Sequence, residues 1–174
     1  MRKSIKVICI AALLAALDII TVRLLSITIP PTERVSFQFL PDFLAGGLLG
    51  PVYAGLTCLA ADLIGSTVFA MGVFSPYITV VAVARGVMYG LILYKRPPNM
   101  AYTLAAVILT GLVVDLVMMT AALSLTYGNE FVPLLIAKAP FKAAQTAVAC
   151  IIMCAVWGRF GNSIKRAAGM ERRR

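Results

Sequence analysis

Long apolar stretches recur along this chain, and they constrain it more than any other feature. About 20 consecutive apolar residues make one helix that crosses a bilayer. Ile5–Leu25, Val52–Phe69, Pro76–Tyr94, Tyr102–Thr126 and Phe131–Trp157 each approach or exceed that length, and Pro41–Gly50 adds a short sixth span. Gly50-Pro51 ends the short span, because proline lacks the amide N–H and clashes with the preceding turn. Composition agrees: 61% of residues are hydrophobic and 13% charged, against roughly 45–50% and about 25% in soluble domains. A water-soluble domain, a disordered chain and a collagen-like repeat are excluded. The expected fold is an all-α integral membrane protein, one domain over residues 1–174, with six transmembrane helices in a compact bundle. Loops at 26–40, 70–75 and 127–130 would share one face of the bundle.

The basic residues set the orientation. Sixteen Lys and Arg against seven Asp and Glu give +9, with no histidine. Arg2, Lys3 and Lys6, then Lys95 and Arg96, then Arg159, Lys165, Arg166, Arg172, Arg173 and Arg174 all fall on one face of a six-span topology. Positive loops mark the cytoplasmic side, so both termini are expected in the cytoplasm. The high net charge then carries no implication of nucleic-acid binding. The apolar run at Ile5–Leu25 is too long for an ordinary signal peptide and reads as a retained first helix. Cys9, Cys58, Cys150 and Cys154 sit in apolar stretches as small packing residues, and without histidine neither a metal site nor a cofactor is expected.

Five basic residues remain: Arg23, Arg34, Arg85, Lys138 and Lys142. A charge at the bilayer centre costs about 2.5–3.5 kcal/mol on insertion scales, so it faces the bundle interior, a partner or a wet cavity. Lys138, Lys142 and Gln145 share one face of the sixth span. Two like charges at this spacing call for an anionic substrate, for pairing with Asp18, Asp62 or Asp115, or for snorkelling to the outer surface. Arg85 lies too deep to reach the surface, and Asp62 or Asp115 is its natural partner. Asp18 reads as a buried partner within the bundle, and Arg23 as a snorkelling anchor. Val35–Phe39 alternates like a short extended segment. Phe37, with Phe69, Phe74 and Tyr77, forms either an interfacial belt or a lid over a flat ligand. Ala11, Ala12, Ala15 and Ala16 make overlapping small-residue pairs, as do Gly46 with Gly50 and Gly86 with Gly90. Such pairs allow close helix packing, within the bundle or against another membrane protein. No phosphate-binding loop and no Ser/His/Asp arrangement is present.

Arg34-Val-Ser-Phe-Gln-Phe-Leu-Pro41, then Ala45-Gly46-Gly47-Leu48-Leu49-Gly50-Pro51, resembles the substrate-binding S-components of energy-coupling factor (ECF) vitamin transporters, most closely the folate type. The likeness continues through Ala61–Gly65, Phe74–Thr79 and Gly86–Gly90. It implies six helices that bind a vitamin in an outward-facing ligand cavity, with the outer-face loops over it. It also implies docking of the first span's small residues, Ala11, Ala12, Ala15 and Ala16, onto a membrane coupling subunit driven by two ATPases. The chain itself would then be neither an enzyme nor an ATPase. Asp115 stands where folate-type members commonly have Asn, and Lys138 where they commonly have Arg. Folate joins a flat pterin to two carboxylates. Lys138, Lys142, Arg34 and Arg85 suit the carboxylates, Asp62 and Asp115 suit the pterin N–H groups, and Phe37 and Phe74 suit its faces. Gln145 completes the expected site. Other readings stay open: an S-component for another anionic vitamin such as pantothenate, a small membrane enzyme acting on an anionic lipid, or a structural subunit.

Overall fold

The computed structural model describes residues 2–29, 33–68, 75–96, 99–128 and 130–167, with the side chains of 2–4, 27–29, 33–35 and 160–167 outside the description. Among the described residues six helices follow one another: α1 (Arg2–Arg23), α2 (Phe39–Leu49), α3 (Pro51–Val68), α4 (Pro76–Leu93), α5 (Met100–Tyr127) and α6 (Phe131–Ala167). Five contain segments long and apolar enough to cross a membrane: Ile5–Arg23, Pro51–Val68, Pro76–Leu93, Met100–Tyr127 and Phe131–Arg159. The exception is α2. Its 11 residues rise only about 16 Å, roughly half of a ~30 Å hydrocarbon core.

Between α1 and α2 the expected polar loop is instead a small antiparallel hairpin. Strand β1 (Ile27–Ile29) pairs with β2 (Glu33–Val35) in the register Ile27 to Val35 and Ile29 to Glu33. The extended backbone therefore precedes the segment expected to carry it. β-branched Ile27, Thr28, Ile29 and Val35 favour it, whereas Gln38 is already helical at φ −56° and ψ −30°. Pro41 is tolerated there because the first N–H groups of a helix have no intrahelical partner.

The α2–α3 break depends on Gly50. Its φ of +86° is open to glycine at no steric cost. Tyr94, just past the end of α4, packs over it. Gly46 faces Tyr89 and Pro51 faces Gly90, so α2 runs parallel to the second half of α4. α3 returns antiparallel, with Gly55 against Val83 and Val87. α2 therefore fills only the half of the bundle next to the chain termini. Phe43 anchors that half. It stacks edge-on with Tyr89 at 5.5 Å and Trp157 at 5.2 Å, and it shares one hydrophobic core with Leu14, Leu48, Leu93 and Met153.

Small residues bring these helices together from within. A Cβ on Gly86 would lie 2.7 Å from Cys58 Sγ and 2.8 Å from the Ala54 carbonyl oxygen. Gly86→Ala is expected to destabilise the protein by about 1–3 kcal/mol through overpacking, read as a lower thermal unfolding midpoint in detergent. On α1, Leu14, Asp18 and Thr21 turn inward with Ala15, while Ala12 and Ala16 are exposed beside Ile8 and Leu13. The four alanines therefore do not share one face.

One feature of α5 departs from a regular helix. Thr110–Met118 is π-helical, a geometry found mostly as short inserts and often at functional sites. Gly111 lies here against Thr146 of α6, and Asp115 lies four residues further on.

Candidate functional site

Each helix contributes a charged residue to the bundle interior or its margin: Asp18, Asp42, Asp62, Arg85, Asp115, and Lys138 with Lys142. Arg85 is the hub. Its Nε donates to Asp115 Oδ1 at 2.8 Å, and Nη2 approaches the same oxygen at 2.8 Å. Nη1 donates to Asp42 Oδ2 at 3.3 Å. The Cys58 thiol donates to the other Asp42 oxygen at 3.2 Å. The structure thus selects Asp115 from the two partners expected for Arg85 and adds Asp42, which sequence reasoning missed. Asp42 sits in the shortest apolar helix, between Pro41 and Phe43, and is only 2% exposed. The available signal was the cost of an acid within an apolar segment, which applies to Asp42 as it does to Asp115.

Asp62 is not Arg85's partner. Its Oδ2 accepts from the Thr79 hydroxyl at 2.7 Å, about two turns nearer the hairpin end of α4. Asp18 is buried, within electrostatic reach of Asp42, Arg85 and Asp62, and the Gln38 side chain reaches its carboxyl. Its Oδ1 has no hydrogen-bond partner. Arg23, expected to reach toward the membrane surface, lies against α3. A Cβ on Gly65 would come 3.2 Å from its Nε.

On α6, Lys138 is buried. Lys142 Nζ donates to Gln145 Oε1 at 3.0 Å, and Gln145 Nε2 donates to the Ser36 carbonyl at 3.1 Å. This pair ties α6 to the chain leaving the hairpin. The Gly111–Thr146 contact, extended one turn along antiparallel α5 and α6, sets Lys142 level with Asp115. A carboxylate and an ammonium therefore stand at similar depth on neighbouring helices.

Phe37 is exposed beside Ser36, its ring 6.1 Å from that of buried Phe39. Arg34 lies in β2, paired with Thr28, and its side chain is outside the description. Phe74, Phe69 and most of the 70–75 loop lie outside the described residues. At the same end, the Ser75 and Thr126 hydroxyls bond at 2.6 Å and join α4 to α5. Tyr77, in the first turn of α4, is exposed. The arrangement combines hydrogen-bond acceptors on α3 and α5 with cations on α6. Such a site suits an elongated ligand with N–H donors at one part and negative charge at another.

The chain matches the sequence profile of the family described as ECF transporter, substrate-specific component, over residues 6–167. It is 28% identical over 155 residues to the folate transporter FolT of Clostridium novyi (strain NT), covering 89% of this chain and 90% of that protein. Its fold is similar to a crystal structure of FolT bound with folic acid, with a TM-score of 0.81 at 22% identity, covering 88% of this chain and 93% of the other. It is also similar to a structure of the S component of a bacterial ECF transporter. That match has a TM-score of 0.68 at 21% identity over 94% of this chain and 99% of the other.

Proposed function

The chain belongs to the substrate-specific component family of ECF transporters, and from that membership we propose that it is the high-affinity folate-binding subunit of an ATP-driven importer. The observation that carries the choice of folate is the likeness to the Clostridium novyi folate transporter along nine-tenths of both chains. The chemistry supports it. Folate has pterin N–H donors at one end and two carboxylates at the other; in this reading Asp62 and Asp115 take the first and Lys138 and Lys142 the second. Lysine takes a carboxylate as a point charge, with less geometric selectivity than arginine. Arg85, held by two aspartates, orders the site rather than gripping a carboxylate. Arg34, Phe37, Phe74 and Gln145 complete the binding set, the aromatics being suited to the pterin faces.

Ligand that remains bound through purification from cells and is identified by mass spectrometry tests this reading. Folates are expected. Pantothenate or another vitamin in their place would overturn the choice of folate.

In the same reading the subunit has no ATPase of its own and passes folate through a membrane coupling subunit driven by two ATPases. Both termini lie in the cytoplasm, where the basic ends are most favourable. Docking uses the exposed small face of α1, Ala12 and Ala16, with Ala11 at its edge and Ala15 setting the backbone close to the bundle. Ala12→Trp is expected to abolish folate uptake by cells and leave folate binding by the purified subunit unchanged. Surviving uptake would remove α1 from the docking face.

A further inference from the structure

The hydrogen bonds around Arg85 are uneven, and the unevenness has a source. A guanidinium carries five N–H donors in a rigid plane, and its two parallel N–H groups commonly grip both oxygens of one carboxylate. Here Nε and Nη2 instead converge on Asp115 Oδ1, each at 2.8 Å. The third contact, from Nη1 to Asp42 at 3.3 Å, draws the plane toward α2. Asp42 is firmly placed. It is 2% exposed, and its second oxygen takes the Cys58 thiol. Cys58 is itself packed against Gly86, where even a methyl group would collide with its sulfur. A chain of contacts thus runs from α3 through α2 and α4 to α5. Only its last member is accessible: the Asp115 side chain is 23% exposed, against 11% for Arg85 and 2% for Asp42.

We propose that Asp42 is a positioning residue: it sets the plane of Arg85 so that Asp115 offers Oδ2 to the N–H donor edge of the ligand. Without Asp42, Arg85 is free to turn and hold both Asp115 oxygens, which withdraws the acceptor from the site. The choice of folic acid as the ligand rests on the reading above, whereas the Asp42–Arg85–Asp115 geometry does not.

Two measurements test it. By calorimetric titration with folic acid, Asp42→Asn should lower affinity about tenfold, the scale of one hydrogen bond involving a charged group. The same change in an Asp115→Asn background should alter affinity less than about twofold, because Asp42 acts through Asp115. Asp42→Glu should recover most of the loss. Equal losses in both backgrounds, or no rescue by glutamate, would show a merely structural role. The second measurement needs no ligand. In protein with isotopically labelled arginine, the Arg85 Nε–H resonance is assigned by its loss in Arg85→Lys. It should shift in Asp42→Asn and return in Asp42→Glu. An unchanged resonance overturns the proposal. If Asp42→Asn does not fold, Cys58→Ala, which removes the thiol donor to Asp42 and leaves its carboxylate, should move the resonance in the same direction by less. Failure of the parent protein to bind folic acid would refute the folate reading, and the resonance would still decide the role of Asp42.

Discussion

Arg85→Met should be among the most damaging single substitutions in the described part of this protein. It removes the one guanidinium that contacts both Asp42 and Asp115. Asp42 is 2% exposed and Asp115 only 23%, so water cannot fully compensate either. Breaking a buried ion pair from one side costs about 3–5 kcal/mol. For a chain of this size that corresponds to a fall on the order of 10 °C in the unfolding midpoint, measured in detergent. Arg85→Lys should recover only part of the loss, because an ammonium lacks the planar fork that reaches both carboxylates. The triple change Asp42→Asn, Arg85→Met, Asp115→Asn should recover more, because no uncompensated charge then remains. An Arg85→Met protein with an unchanged midpoint would mean that the three-helix ion network contributes little to stability.

The second large effect falls on binding. Lys138→Ala combined with Lys142→Ala removes both cations from one face of α6. Each charge-assisted hydrogen bond to a ligand carboxylate is worth about 1.5–3 kcal/mol. The double variant should therefore bind folate about 10²- to 10⁴-fold more weakly. Lys138→Arg with Lys142→Arg, which keeps both charges, should stay within about tenfold of the parent. Gln145 links Lys142 to Ser36, so the unfolding midpoint of each variant separates lost binding from a loosened hairpin. Unchanged affinity in the alanine pair would place the ligand's carboxylates elsewhere and favour Arg34 or Arg23.

Much of this arrangement was legible in the sequence because the bilayer simplifies the problem. Apolar length alone outlined the long helices, and Gly50-Pro51 marked the α2–α3 break. The cost of a charge in hydrocarbon pointed to Arg85, Asp115, Asp62, Lys138 and Lys142. What escaped had a weaker local signature. Three-residue strands are too short for a period-two pattern, so the hairpin at Ile27–Val35 read as loop. The π-helical segment Thr110–Met118 has no local sequence signature, and the contact of Gly111 with Thr146 of α6 inside it is tertiary. Asp42 carries a weaker signal because its helix is short. The pairing of Arg85 with Asp42 follows from α2 lying parallel to α4, which no local spacing reveals. The alanines of α1 show the same limit: small residues at 11, 12, 15 and 16 occupy two adjoining helix faces. Packing of Leu14, Asp18 and Thr21 decides which one turns inward.

Direct titration tests the central claim most closely. The single tryptophan, Trp157, lies beside Phe43 and Gly47 in the half of the bundle away from the hairpin, so calorimetry reports binding more directly than its fluorescence. Purified, ligand-free protein titrated with folic acid should bind one molecule per chain with a Kd below about 1 μM. Under the same conditions pantothenate should give no saturable signal. Folate binding in the micromolar range or weaker, with tighter binding of pantothenate or another vitamin, would contradict the account.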